Sequence, residues 1–351
     1  SWGYIMSTKH FTANVISATK VVPSGPFQNS AASGVWDLSE QYDLRRGGNW
    51  PETGVSLQRA LFGPRSSSPR KAVDQVDIST LGNATDFGGI TTHDNASRSG
   101  FGSDTRCINA GGGGNSNIIE YVSFGTSGNF ADFGDLTAGR SGTSGFSNNT
   151  RGVIAGGSDS NNVIDYITIA NTGNATNFGD LTAATGDIGG GFSSSTRGIT
   201  AGGYASNSIS NVIQYVTIGS TGNATDFGDL TAGRKFVGGL ASATRGVAFG
   251  GELSNGNTTD IIDYVTIASA GDAADFGDLS AATNFPAGAA SATRGIRAGG
   301  TNANGSGSTN TIDYITIGST GNTQDFGDLT SGTNNDGMAG AASSAASAQP
   351  S

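Results

Sequence analysis

Short runs of β-branched and aromatic residues recur along most of this chain, separated by Gly-, Ser-, Thr- and Asn-rich stretches. Val212–Ile218, a run of β-branched and aromatic residues, predicts one strand. Arg197–Ala201 predicts a second strand, ended by Gly202-Gly203, and Asp226–Thr231 a third. The small-residue stretch Gly189–Ser195 predicts a fourth, whose short side chains suit an innermost strand where neighbouring units converge. In chain order these are strands a (189–195), b (197–201), c (212–218) and d (226–231) of one unit.

The unit repeats. Arg106, Arg151, Arg197, Arg245 and Arg294 are spaced by 45, 46, 48 and 49 residues, and a degenerate copy starts at Arg59. The last strand's phenylalanine recurs at Phe87, Phe133, Phe178, Phe227, Phe276 and Phe326, making six copies. A period of about 45–50 residues with four strands per unit is that of a β-propeller blade. The first copy lacks a strand a, and Gly337–Ser344 supplies a surplus one after the last strand d. The expectation is an all-β propeller of six blades of four antiparallel strands, with the C-terminal strand completing the N-terminal blade. Closure of that kind removes exposed sheet edges. Seven blades is the alternative, in which the N-terminal segment supplies most of one more.

A strand ending in Gly-Gly, then one containing Asp-Tyr as in Ile164-Asp165-Tyr166, then a short aromatic strand, resembles the kelch repeat over roughly residues 55–346. The usual kelch Trp is absent, and the Phe of Asp-Phe-Gly-Asp-Leu takes its place. The wording Ile-Asp-Tyr-Ile-Thr-Ile, followed by Gly-Asn-Ala-Thr-Asp-Phe-Gly-Asp-Leu, is also similar to repeats in structural proteins of tailed phages, notably marine and cyanobacterial ones. The first resemblance implies a propeller. The second implies a virion or extracellular location.

Spacing within the repeat separates two faces. From the Tyr of strand c to the Phe of strand d the step is always 12, whereas from the Arg to that Tyr it is 15, 15, 18, 19 and 20. The a–b and c–d turns are therefore constant and share one face, while the b–c loops vary on the other. Variable loops on a rigid scaffold are where recognition concentrates. The candidate binding residues lie in the three longest: Tyr204, Asn207, Glu252, Asn255, Asn257, Asn302 and Asn304. Neutral length drift is the plainer reading of the same loops.

Residues copied in every unit read as architecture. Arg106, Arg151, Arg197, Arg245 and Arg294, with the Asp of Phe-Gly-Asp-Leu, are expected to hydrogen-bond the turns, the Asp oxygens capping backbone N–H groups. Phe133, Phe178, Phe227, Phe276 and Phe326 are expected to form the core between blades.

Composition narrows the function. The net charge is −10 and no basic stripe exists, which argues against nucleic acid as a partner. No apolar run is long enough for a membrane span. Ser1–His10 lacks a signal-peptide pattern, and the single cysteine, Cys107, forms no framework of disulfides. With only His10 and His93, no nucleophile elbow and no Asp-x-Asp-x-Asp-Gly loop, the expectation is no enzyme, no cofactor and no metal.

Residues 1–54 differ from the repeats of 55–351: they hold every tryptophan, Trp2, Trp36 and Trp50. Concentrated aromatics outside the repeat suit docking or homo-oligomerisation, and the phage resemblance favours attachment to other virion proteins. The leading expectation is a virion surface, tail or fibre-associated protein presenting its propeller to a host-surface glycan or protein. A purely structural subunit and an extracellular kelch-like enzyme are the alternatives.

Overall fold

The computed structural model describes residues 58–64, 72–90, 97–158, 161–187, 190–302, 307–331 and 338–342. Trp2, Trp36, Trp50, His10, His93 and Asn304 lie outside the described residues. Among the described residues every regular element is a β-strand, and the architecture is β-propeller-like. Six four-stranded antiparallel sheets carry the chain, each ordered a-b-c-d from its inner to its outer edge. The second is Ser99–Gly102, Arg106–Ala110, Ile118–Ser123 and Ala131–Asp135. The third runs from Ser144–Ser147 to Thr176–Asp180, the fourth from Gly190–Ser193 to Thr225–Asp229. The fifth runs from Gly238–Ala241 to Ala274–Asp278, and the sixth from Ala287–Ala290 to Gln324–Asp328. In the first sheet Arg59–Gly63, Ala72–Asp77 and Thr85–Gly89 are joined by Ala339–Ala342, with Ala60 opposite Ala342 and Leu61 opposite Ala341.

Hydrophobic cores lie between successive sheets. Phe133 of the second sheet packs with Ile154, Ile167 and Ile169 of the third, and Phe178 of the third with Val216 and Ile218 of the fourth. The series continues through Phe227 and Phe276, and Phe326 of the sixth sheet packs with Val76 and Ile78 of the first. These phenylalanines are buried, as their placement in the repeat predicts. Each also meets the Tyr of its own strand c edge-on, at 5.8–6.3 Å between centroids from Phe133 to Phe326.

The Phe-Gly step is a β-bulge. In the third sheet Ile164 opposes Gly179 while Asp165 opposes Asn177, so Phe178 has no partner across the pair. Its carbonyl is thereby free to accept from the next sheet: Gly222 N–H donates to Phe178 O at 2.8 Å, and Ala224 N–H to Asp180 O. The same pair of bonds links every sheet to its successor, and Gly82 N–H closes on Phe326 O at 2.9 Å. Each outer edge is thus covered by the neighbour's c–d loop, which protects it from pairing with another chain. A side chain at Gly179 would strike the backbone of Gly222, so the bulge requires glycine there.

The repeated Arg does bond a turn, that of the next sheet, whereas the repeated Asp acts through its backbone rather than as a carboxylate cap. Arg106 Nη1 reaches across to Ile169 O of the third sheet, Arg151 to Ile218 O, Arg197 to Ile267 O and Arg245 to Ile317 O, at 2.7–2.8 Å. Arg59 bonds Phe124 O, and Arg294 bonds Ile78 O of the first sheet. From Arg106 to Arg294 each guanidinium also lies over its own sheet's Tyr, 4.3–4.9 Å from the ring centroid. These arginines are clasps between sheets. Of the Asp residues it is the backbone N–H, not the carboxylate, that makes the recurring bond: Asp135 N–H donates to Asn174 Oδ1 and Asp180 N–H to Asn223 Oδ1 of the following sheet. Asp328 N–H donates to Asn83 Oδ1 of the first. The Asn-x-Thr triplets at Asn83, Asn174 and Asn223 are therefore joints between sheets.

Inner strands meet backbone to backbone. A Cβ on Gly191 would strike Gly145 O, one on Gly239 Gly191 O, one on Gly288 Gly239 O, and one on Gly340 Gly288 O. Gly100 stands in the same relation to Gly340. The glycines allow the a strands to converge around a central cavity of about 190 Å³.

Candidate functional site: the collar at the cavity mouth

The segment entering each strand a is anchored first and exposed second. In strand c of each sheet one polar residue is buried: Asp74, Glu120, Asp165, Gln214, Asp263 and Asp313. Asp263 accepts from Thr231 Oγ1 at 2.7 Å and pairs with Arg234 at 2.6 Å, both side chains fully buried. Asp165 does the same with Thr137 and Arg140. Burial lowers the Arg234 pKa and the Asp263 charge opposes that shift. In the fourth sheet Thr185 stands where the third and fifth have arginine, and there the carboxylate is replaced by Gln214, which accepts from Thr182. In the sixth Thr283 takes that place, and the cation comes instead from Arg297, which donates to Thr283 Oγ1 and lies 3.6 Å from Asp313. From the third sheet to the sixth, charge is kept or lost as a pair, which is what the cost of an unpaired buried ion demands.

Two residues beyond these anchors the chain turns inward. Gly142 follows Arg140, Asp187 follows Thr185, Phe236 follows Arg234 and Phe285 follows Thr283. Together with Ser97 these five have positive φ, from 50° to 65°. They are joined in part by their backbones: Gly142 N–H donates to Ser97 O, Phe236 N–H to Asp187 O and Phe285 N–H to Phe236 O. The result is a collar at the mouth of the cavity. The Phe236 and Phe285 rings stack at 3.8 Å between centroids and 26° between planes, and both are half-buried. For a bulky residue this backbone region costs about 1–2 kcal/mol.

The long b–c loops dock onto the same segments. Tyr204–Ala205 pairs with Thr185–Gly186, Glu252–Leu253 with Arg234–Lys235, and Thr301–Asn302 with Thr283–Asn284. Lys235 Nζ bonds Glu252 at 3.2 Å and lies 4.7 Å from the Phe236 ring centroid. Asp187 is influenced by both: burial raises its pKa, Lys235 lowers it and Glu252 raises it further. The expected loop residues therefore divide. Tyr204 and Glu252 are half-buried in the ribbons, whereas Asn207, Asn255, Asn257 and Asn302 are exposed. Asn255 Oδ1 caps its own turn by accepting from Asn257 N–H at 3.0 Å, and Asn207 takes a positive φ in the tip of its hairpin.

Phe236 and Phe285 were not among the residues expected to bind. Their signal lay in the repeat itself: aromatic side chains where other copies carry Gly142 or Asp187. No protein-family model matches this chain, and no curated protein matches it.

Proposed function

We propose that the six sheets are the blades of one closed, kelch-like propeller, and that this propeller is a non-enzymatic recognition module. Closure is supported by the relay of Arg clasps, Asn joints and glycine contacts that passes from each sheet to the next and from the sixth to the first. Recognition is supported by one observation above others: three consecutive b–c loops fold as ribbons on the segments that set the collar, beside a half-exposed aromatic stack. The wording of the repeats supports a place on a phage particle, with residues 1–54 docking to other virion proteins or to further copies of the chain.

The test shortens one loop. Replacing the connection after Gly251 with the shorter one that follows Gly157 leaves the four-stranded sheet intact. Labelled full-length protein is expected to bind candidate host cells, such as marine cyanobacteria, saturably, and the shortened variant to lose at least tenfold in affinity. Undiminished binding by the variant contradicts the reading. Absent cell binding, with assembly that depends on residues 1–54, assigns the chain a purely structural role.

A further inference from the structure

The collar holds more than the scaffold requires. Ser97 and Gly142 make the same inward turn with small residues, so nothing in the fold calls for two phenylalanines at Phe236 and Phe285. Strain of this kind persists where function needs it. The stacked pair lines the cavity together with Pro286 and Met338, which gives the mouth a flat apolar wall.

Polar groups flank that wall. Glu252 and Lys235 form a partly exposed pair beside Phe236, and Asp187 lies within their electrostatic reach. Thr143 also lines the cavity; its hydroxyl is buried and has no hydrogen-bond partner among the described residues. An apolar platform ringed by a few polar groups is the general form of a small-ligand site. At about 190 Å³ the cavity is smaller than the ~300 Å³ at which sites for drug-sized ligands begin, so it suits one ring rather than a peptide. The charged residue of the cavity lining, Arg98, is paired with Glu120 at 3.0 Å, and the chain's net charge of −10 disfavours an anionic ligand.

A pyranose matches each of these properties. It has one face of C–H groups for an aromatic wall and an edge of hydroxyls for polar groups. We propose that the Phe236–Phe285 collar binds the terminal, uncharged pyranose of a glycan, its C–H face against the aromatic pair and its hydroxyls toward the polar groups of the cavity lining, Ser97 and Thr143 among them. This rests on the loop-bearing face being the recognition face.

Saturation-transfer NMR on the full-length protein tests it, with the methyl glycosides of glucose, galactose, mannose and N-acetylglucosamine as probes and methyl glucuronide as the anionic control. At least one neutral glycoside is expected to receive transfer at its ring C–H groups, and the glucuronide at least tenfold less. Phe236→Asn and Phe285→Asn, which remove the ring but tolerate positive φ, are expected to reduce transfer at least tenfold. Leu81→Ser, on an exposed turn of the first sheet, retains it. Transfer to no neutral glycoside, transfer that survives both Asn substitutions, or equal transfer to the glucuronide overturns the proposal. Cell binding that is lost on shortening the loop but unaffected by Phe285→Asn sinks the sugar site alone and leaves the recognition face standing.

Discussion

Replacing Arg234 with alanine is expected to lower the free energy of unfolding by about 3–5 kcal/mol, because it leaves the Asp263 carboxylate buried and without its cation. Both side chains of the pair are fully buried, so solvent does little to screen the loss. The repeat contains its own rescue. The fourth sheet manages the same two positions with Thr185 and Gln214, and no charge. Arg234→Thr combined with Asp263→Gln is therefore expected to recover most of what Arg234→Ala loses, since a neutral, hydrogen-bonded replacement of a buried pair is often close to neutral in stability. Urea unfolding of both variants measures this. If the double variant is no more stable than Arg234→Ala, the pair is not what holds the segment. The same segment sets Phe236, so the single variant is also expected to weaken the aromatic stack.

Removing residues 338–351 is expected to abolish the cooperative folded state. The deletion takes Ala339–Ala342 from the inner edge of the first sheet and uncovers Arg59–Gly63, in which Ala60, Leu61 and Phe62 are no more than 2% exposed. Each large apolar side chain returned to water costs about 1.5–3 kcal/mol, against a total stability of about 5–15 kcal/mol for a typical domain. The glycine contacts of Gly340 with Gly288 and Gly100 are lost as well. An uncovered, hydrophobic strand edge also invites association between chains. The truncated protein is expected to aggregate and to show no sharp thermal transition. A soluble monomer with the midpoint of the intact chain contradicts this.

How much of this was legible in the sequence depends on how local each cause is. Strand b of the fourth unit, Arg197–Ala201, is read to the residue, because Gly202-Gly203 ends it abruptly. Strand d is placed one or two residues late, since the bulge at Phe227-Gly228 breaks its alternation. The phenylalanine cores follow from burial of a repeated aromatic. The Arg clasps did not, because Arg106 bonds a carbonyl 63 residues away in another sheet, and no local pattern announces such a partner. The Asp of Phe-Gly-Asp misled for a related reason: its backbone makes the joint, and the side chain that completes it, Asn174, lies in the next unit. The buried carboxylates were visible only as the Asp of Asp-Tyr. Their pairing with Arg140 and Arg234 shows in the sequence once the fourth unit is set beside them, where both charges vanish together. Three of the variable loops pair with the segments that enter strand a, a joint between distant positions that loop spacing does not announce. The collar was missed because its residues belong to the connection before strand a, where small residues predominate.

An engineered crosslink tests whether the relay of sheets closes on itself. Ala60 and Ala342 are partners across the strands that join the two ends of the repeat array. Partners in an antiparallel pair have Cα atoms about 4.5–5.5 Å apart, within the range a disulfide spans. In a chain carrying Cys107→Ser, Ala60→Cys and Ala342→Cys, oxidation is expected to give an intramolecular disulfide in a monomer, with a raised midpoint of thermal unfolding. Free thiols after oxidation of the folded protein, or disulfides found only between chains, would contradict closure.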